Sequence, residues 1–120
     1  MKITEIKNKI TIENKLQKRC FEILESEFDY EYENLKNLIN TLIYDTSCEN
    51  GCIGALTYYN DTEKFFDEYS DEIFELYNEL KEEFGDCLDF KLSKNNLAWF
   101  GFEETISFWI RELEDELYNN

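Results

Sequence analysis

The chain has 120 residues, of which 28 are Asp or Glu and 12 are Lys or Arg, so its formal net charge is −16. A potential of this sign repels nucleic acid and anionic lipid and attracts basic protein surfaces. Aromatic residues make up 17% of the chain, which excludes an acidic disordered tail because such tails are poor in aromatics. We therefore expect one folded domain over residues 1–120, with a basic protein as its partner.

The available residue types argue against catalysis. The chain contains no His, which is the usual general base and the commonest metal-binding side chain. It shows no Gly-rich phosphate loop, and no Ser or Cys lies in a recognised nucleophile motif. Its carboxylates are too numerous for any one pair to stand out. The sequence predicts a protein that is not an enzyme and holds no cofactor.

The four cysteines, Cys20, Cys48, Cys52 and Cys87, offer a zinc site as an alternative. No two of them have the two-residue spacing of a typical zinc knuckle, which favours buried free thiols that act as small hydrophobes.

No apolar run reaches the 18 residues that a membrane span needs, and the N-terminus has no signal-peptide core. We expect a cytoplasmic protein with reduced thiols and no metal.

The first half of the chain predicts two or three helices. Residues 1–9 are polar and basic and are interpreted as a flexible basic arm. Apolar residues at helical spacing predict a helix between Ile10 and Phe28 and a shorter one from Leu35 to Ile43. Residues 46–51 form a turn-like stretch, and the small apolar residues of 52–59 favour a short buried helix over a strand.

The clearest helical register covers Thr62–Phe84. Asn60 or Asp61 would cap its start, with Gly85 as its C-terminal cap. A break near Tyr69 is the alternative to one continuous helix. The predicted core stripe consists of Phe66, Tyr69, Ile73, Leu76, Tyr77, Leu80 and Phe84.

The last part of the chain predicts a long helix from Asn96 to Tyr118. Residues 87–92 alternate apolar and charged side chains, which indicates a short strand or an extended connector. The fold class is therefore all-α, a compact bundle of four to five helices. The core face of the last helix consists of Leu97, Phe100, Phe102, Ile106, Trp109, Ile110, Leu113 and Leu117.

Nine acids lie within Thr62–Phe84, most of them opposite the apolar stripe, so they project from one face. A continuous helix of this length would span about 34 Å, giving one charge per roughly 4 Å. A single DNA strand carries one phosphate per about 3.4 Å. Phosphate mimicry is therefore physically feasible. The predicted partner-binding residues are Asp67, Glu68, Asp71, Glu72, Glu75, Glu79, Glu82 and Glu83, together with the nearby Tyr58 and Tyr59.

The alternative meaning of this acidic face is solubility. An ordinary solvated face alternates Lys with Glu, because Glu–Lys pairs four residues apart stabilise a helix and like-charge pairs destabilise it. Here Asp71, Glu75 and Glu79 follow one another at that spacing. The imbalance favours a functional surface. Two smaller acidic clusters lie at Glu22–Glu33 and Glu103–Glu116. The sequence does not reveal whether they share one surface with the acidic face of Thr62–Phe84.

Aromatic residues carry a second candidate for partner contact. The helical spacing of Trp99 to Phe102 and of Trp109 favours the core, although Trp also dominates binding hot spots. The tyrosines beside acidic segments are better candidates for exposed contacts. These are Tyr30, Tyr32, Tyr58 and Tyr59.

Two segments, Gly51–Asp67 and Asn96–Thr105, resemble a family of small, acidic, helical proteins carried by phages, plasmids and integrated elements. The shared pattern is two tyrosines, Asp-Thr and two aromatics, followed later by Ala-Trp-Phe and two glutamates. The resemblance covers about residues 48–117 and leaves the first helix uncovered. It implies a mobile-element origin and supplies no catalytic residue. By analogy, such proteins resemble anti-CRISPR and antirestriction proteins in their role.

Charge and resemblance together predict a non-catalytic inhibitor of a host defence nuclease complex. It would bind the basic channel for guide or target nucleic acid, which in CRISPR effectors is strongly cationic, through its acidic and DNA-mimicking helix face. One alternative is an acidic interaction module, such as an antitoxin or regulator, that binds another basic partner. A second alternative is an antirestriction protein directed against a restriction enzyme.

Overall fold

A computed structural model describes residues 1–46, 62–88 and 90–119, without the side chains of Asp86 and Cys87. Within these residues the protein is a bundle of four α-helices with two 3₁₀ helices, which confirms the all-α prediction. The α-helices are α1 (Lys15–Glu27), α2 (Leu35–Asp45), α3 (Thr62–Phe84) and α4 (Lys94–Tyr118), and the 3₁₀ helices are Ile3–Asn8 and Gly85–Leu88.

Side-chain caps fix where the helices begin. The Oδ1 atom of Asn14 accepts a hydrogen bond from the backbone N–H of Gln17 at 2.8 Å, and Gln17 Oε1 accepts one from the Asn14 N–H at 3.2 Å. This reciprocal box satisfies two donors that a helix start leaves open. Asn34 and Ser93 cap α2 and α4 with their side-chain oxygens. The caps place the start of α1 after the predicted Ile10 and the start of α4 before the predicted Asn96.

Helix α4 is the centre of the bundle, since it packs against α1, α2 and α3. Its predicted core face is confirmed, with Phe102, Ile106, Trp109 and Leu113 almost fully buried. Helix α4 approaches α3 closely at Gly101, where an added Cβ would lie 2.8 Å from Cγ1 of Ile73. A side chain at this position would force the buried Ile73 to shift, which favours glycine here.

Residues 1–9 do not form the predicted basic arm. Ile3 and Ile6 are 1% and 0% exposed, and they anchor the N-terminal 3₁₀ helix in the core. The backbone N–H of Tyr32 also donates to the Met1 carbonyl at 2.6 Å. The sequence interpretation was wrong because the two isoleucines are spaced three apart, one 3₁₀ turn, inside a stretch whose remaining residues are polar.

The N-terminal segment continues onto the last turns of α4. The indole Nε1 of Trp109 donates to the Thr11 carbonyl at 2.8 Å. The Thr11 N–H donates to a Glu112 carboxylate oxygen at 2.8 Å, and Lys9 Nζ lies 3.0 Å from Glu116 Oε1. Two segments that are far apart in sequence are thus joined, and one basic residue, Lys9, pairs there with an acid.

Helix α3 has the predicted bounds, and the break near Tyr69, which the sequence left as an alternative to one continuous helix, is present. Tyr69 has φ −120° and ψ 20°, outside the helical region, so the helix bends there. Gly85 adopts a positive φ of 57°, confirming it as the C-terminal cap. The predicted core stripe fails at Phe84, which is 53% exposed, whereas Phe65 is buried without having been predicted.

Between α3 and α4 the described residues form no strand. The 3₁₀ helix is followed by tight backbone bonds, from the Phe90 N–H to the Leu88 carbonyl at 3.1 Å and from the Ser93 N–H to the Lys91 carbonyl at 2.9 Å. The described part of this segment is therefore a 3₁₀ helix followed by turns, and neither the strand nor the extended connector that the sequence offered describes it. The predicted short helix at 52–59 and the predicted caps at residues 60 and 61 lie outside the described residues.

Candidate functional site

The predicted acidic face exists on α3. Seven of its eight predicted acids are exposed, and Glu72 is half-buried against the neighbouring helices. The other two predicted contact residues, Tyr58 and Tyr59, lie outside the described part of the chain. The exposed acids are Asp67, Glu68, Asp71, Glu75, Glu79, Glu82 and Glu83.

This face is held almost without internal counter-charge. Lys94 Nζ lies 2.9 Å from Asp67 Oδ1, and this contact raises the pKa of Lys94. Among the described residues, no ion pair joins any of the other seven predicted acids to a lysine or arginine. Lys81 lies on the same helix, but its Nζ sits 5.7 Å from the ring centre of Tyr77. The negative potential of this face is therefore largely not neutralised by the described lysines and arginines.

The bend at Tyr69 shortens the straight part of the acidic face. Residues 70–84 form the longer limb, which spans about 22 Å at 1.5 Å per residue. Six of the predicted acids lie on it, so the spacing of roughly 4 Å per charge survives in this limb. The comparison with strand phosphates holds for this limb and not for the full helix.

A groove joins α3 to α4, which answers a question the sequence left open. Its volume is about 250 Å³, and its walls come from α3, α4 and the start of α1. Glu104 of α4 thus shares one surface with three α3 acids. The lining residues are Asn14, Leu16, Gln17, Glu72, Glu75, Leu76, Glu79, Glu104, Thr105 and Phe108.

The carboxyl group of Glu104 lies partly buried in this groove. Burial raises its pKa above the usual value, the neighbouring Glu103 raises it further, and Arg111 opposes the shift. A carboxylate in such surroundings loses hydration without gaining a close positive partner. A cation brought into the groove would restore the lost stabilisation.

Several acids of the other two acidic clusters are engaged within the fold. Arg19 Nη1 lies 3.1 Å from Glu22 Oε2, and Lys2 Nζ lies 3.8 Å from Asp29 Oδ1. Glu112 and Glu116 at the end of α4 bind the N-terminal segment. Of the Glu103–Glu116 cluster, Glu104 therefore shares the groove with the α3 acids, whereas Glu112 and Glu116 are held by the N-terminal segment.

The aromatic candidates divide in the structure. Trp109 is fully buried and Trp99 is half-buried, as expected for core residues. Tyr30 is 60% exposed as predicted, but Tyr32 is only 9% exposed, because it packs beneath the N-terminal segment, which was not expected to fold there. The sequence reasoning also missed Phe108, which is 40% exposed in the groove. The sequence held one clue to its exposure, since this aromatic residue falls outside the predicted core face of α4.

A second cavity of about 500 Å³ lies at the start of α4. Its walls combine aromatic faces, two side-chain amides and one carboxylate. Such walls suit an apolar or planar group, and they hold no nucleophile with a base. The described lining residues are Phe90, Asn95, Asn96, Trp99, Phe100 and Glu103.

The interpretation of Cys20 as a buried thiol is confirmed. Its side chain is 0% exposed, and burial raises its pKa to about 12. Cys48 and Cys52 lie outside the described residues, and the side chain of Cys87 is not described. Within the described ranges no group of three or more Cys, Asp or Glu side chains is placed to hold a metal ion.

Comparison with known proteins identifies a family whose function is unknown. The model of DUF7222, a domain of unknown function, matches residues 3–115. The chain belongs to this family. The match includes α1, which the sequence resemblance had left uncovered. No curated protein and no solved structure matches the chain. None of the described helices is long and apolar enough to cross a bilayer.

Proposed function

We propose that this protein is a non-catalytic inhibitor that binds the basic nucleic-acid channel of a host defence nuclease complex, of the kind found in CRISPR–Cas effectors. The acidic face of α3 would enter the channel in place of nucleic acid. The partner is a protein, because the net charge of −16 opposes direct binding to DNA or RNA.

The observation that carries the proposal is the seven α3 acids without an ion pair to any described lysine or arginine. Elsewhere the described acids at Glu22, Asp29 and Glu116 have basic partners within the fold. Like-charge pairs four residues apart weaken a helix. A face that accepts this cost without internal counter-charge is suited to a partner that supplies it.

The mode of binding follows from the same geometry. Regular negative charge along one limb attracts a basic channel from a distance and accelerates association. Exposed aromatic residues beside the face, such as Phe74 and Phe108, would add the apolar contact that charge alone lacks. The choice of a defence complex rests on the sequence resemblance to proteins of mobile elements.

The test is capture of the partner from the native host, followed by competition with nucleic acid. The tagged protein should recover a nuclease or CRISPR subunit, and added cognate nucleic acid should release it. Replacing Asp71, Glu75, Glu79 and Glu82 with Lys should abolish capture, and salt should weaken capture by the wild type because it screens charge.

A matched variant controls for net charge alone. Replacing Glu25, Glu27, Glu114 and Asp115 with Lys changes the charge equally at acids for which the structure shows no ion pair. This control should still capture the partner. Equal capture by both variants would contradict the proposal, and recovery of a partner that nucleic acid does not displace would favour a regulator or antitoxin role.

A further inference from the structure

The groove between α1, α3 and α4 differs from the rest of the acidic surface because it is both apolar and negative. Leu16, Leu76 and Phe108 supply its apolar wall, and Phe108 is 40% exposed. Four carboxylates line the same space of about 250 Å³, from Glu72, Glu75, Glu79 and Glu104.

No described basic side chain fills this groove. Its described lining residues include no lysine or arginine, and none of its four glutamates forms an ion pair with a described base. Arg111, on the same helix as Glu104, opposes the rise that burial causes in the pKa of that carboxyl group, without forming an ion pair with it. The two lining amides belong to the capping box of α1, where Asn14 and Gln17 are held by each other's backbone. The wall is thus fixed before anything binds.

The combination of apolar and acidic side chains in this groove favours some cations over others. A small metal ion is strongly hydrated and gains nothing from leucine or phenylalanine side chains. A lysine ammonium is a compact, strongly hydrated point charge. An arginine guanidinium is weakly hydrated and planar, can stack on an aromatic ring, and can bind a carboxylate through two hydrogen bonds. Charge complementarity and shape therefore both favour arginine.

We propose that this groove is the docking site for an arginine side chain of the basic protein partner, with the guanidinium stacked on Phe108 and bound by the carboxylates around it. This inference deepens the proposed function and rests on it. It assigns the specific contact to the groove, while the outer acids of α3 provide general attraction. Arginine is also the basic residue most enriched at binding hot spots.

The test uses two fluorescent peptides of equal length, octa-arginine and octa-lysine, in fluorescence anisotropy titrations near physiological salt. The wild-type protein should bind the arginine peptide more tightly. Phe108→Ala should weaken that binding about threefold, as expected from a cation–π contact of roughly 0.5–1 kcal/mol, and should remove the preference for arginine. Glu104→Gln should weaken binding of both peptides.

Matched variants outside the groove serve as controls. Phe84→Ala removes an aromatic ring that is 53% exposed, and Glu114→Gln removes a half-buried acid from the same helix as Glu104. Both should bind the arginine peptide within about twofold of the wild type, and circular dichroism should show all four variants folded. Chemical shifts of Thr105 and Leu76 should move on addition of the arginine peptide.

Several results would overturn the inference. Equal binding of the two peptides by the wild type would remove the arginine preference. If the groove variants behaved like their controls while the fourfold α3 lysine variant lost partner capture, the groove would be irrelevant and the proposed function would stand. Groove signals that shift on dilution of the protein alone would assign the site to a second copy of the chain. If neither set of variants affected binding, both proposals would fail.

Discussion

Two regions of the bundle use acidic residues in different ways. At the end of α4, Glu112 and Glu116 bind the N-terminal segment through Thr11 and Lys9. On α3, seven of the eight predicted acids are exposed, and the ion pair shown for these eight joins Asp67 to Lys94. The difference shows that the acids behind the net charge do not all play the same structural role. Part of the net charge holds the fold together, and part of it lies exposed on α3.

The largest expected effect comes from breaking the contact between α4 and the N-terminal segment. Replacing Trp109 with Ala should lower the free energy of unfolding by about 3–5 kcal/mol, because it empties a fully buried site and releases the bond to the Thr11 carbonyl. Urea unfolding would measure the change. The adjacent Phe108→Ala should cost far less because that ring is 40% exposed. Similar losses for both variants would contradict the assignment of Trp109 as the anchor.

The next prediction concerns Glu104, which lies between the two regions. Its pKa is raised in the folded state, so the folded protein holds more protons than the unfolded chain between the two pKa values. Stability should therefore fall as the pH rises through that window. Glu104→Gln should flatten this part of the curve of unfolding free energy against pH and make the protein more stable than the wild type at pH 7.

Two controls separate burial of Glu104 from general repulsion. Glu114→Gln removes the same charge from a half-buried site on the same helix, and Glu104→Asp keeps a carboxyl group in the groove. Neither should reproduce the full gain at pH 7. A gain from Glu104→Gln that is equally large at pH 3 would show that titration of this carboxyl group is not its cause.

Most of the helical fold could be predicted from the sequence because its signals are local. The apolar period located α2 and α3, and Gly85 marked the end of α3. The fold of the N-terminus could not be predicted in this way. Burial of Ile3 and Ile6 depends on helices that are distant in sequence, and no local pattern encodes those contacts.

The candidate site was predictable in part for the same reason. The acids of α3 fall on one face by helical period alone, and the structure places them there. The groove with Glu104 requires the placement of α4 against α3, which depends on the close contact of Gly101 with Ile73. Phe108 became a candidate only once that placement showed it exposed beside the carboxylates.

The central claim is that the α3 acids are kept at the expense of stability, unlike the acids at the end of α4. Its most direct test is the urea unfolding free energy of Glu75→Lys/Glu83→Lys at low salt. This double variant turns Asp71, residue 75, Glu79 and residue 83 into an alternating series, so three repulsive pairs become attractive.

The account predicts that the double variant is more stable than the wild type by roughly 1 kcal/mol, from a few tenths for each pair. High salt should shrink the difference because exposed charges are screened. A double variant no more stable than the wild type at low salt would contradict the account, since the α3 acids would then impose no cost that a partner needs to relieve.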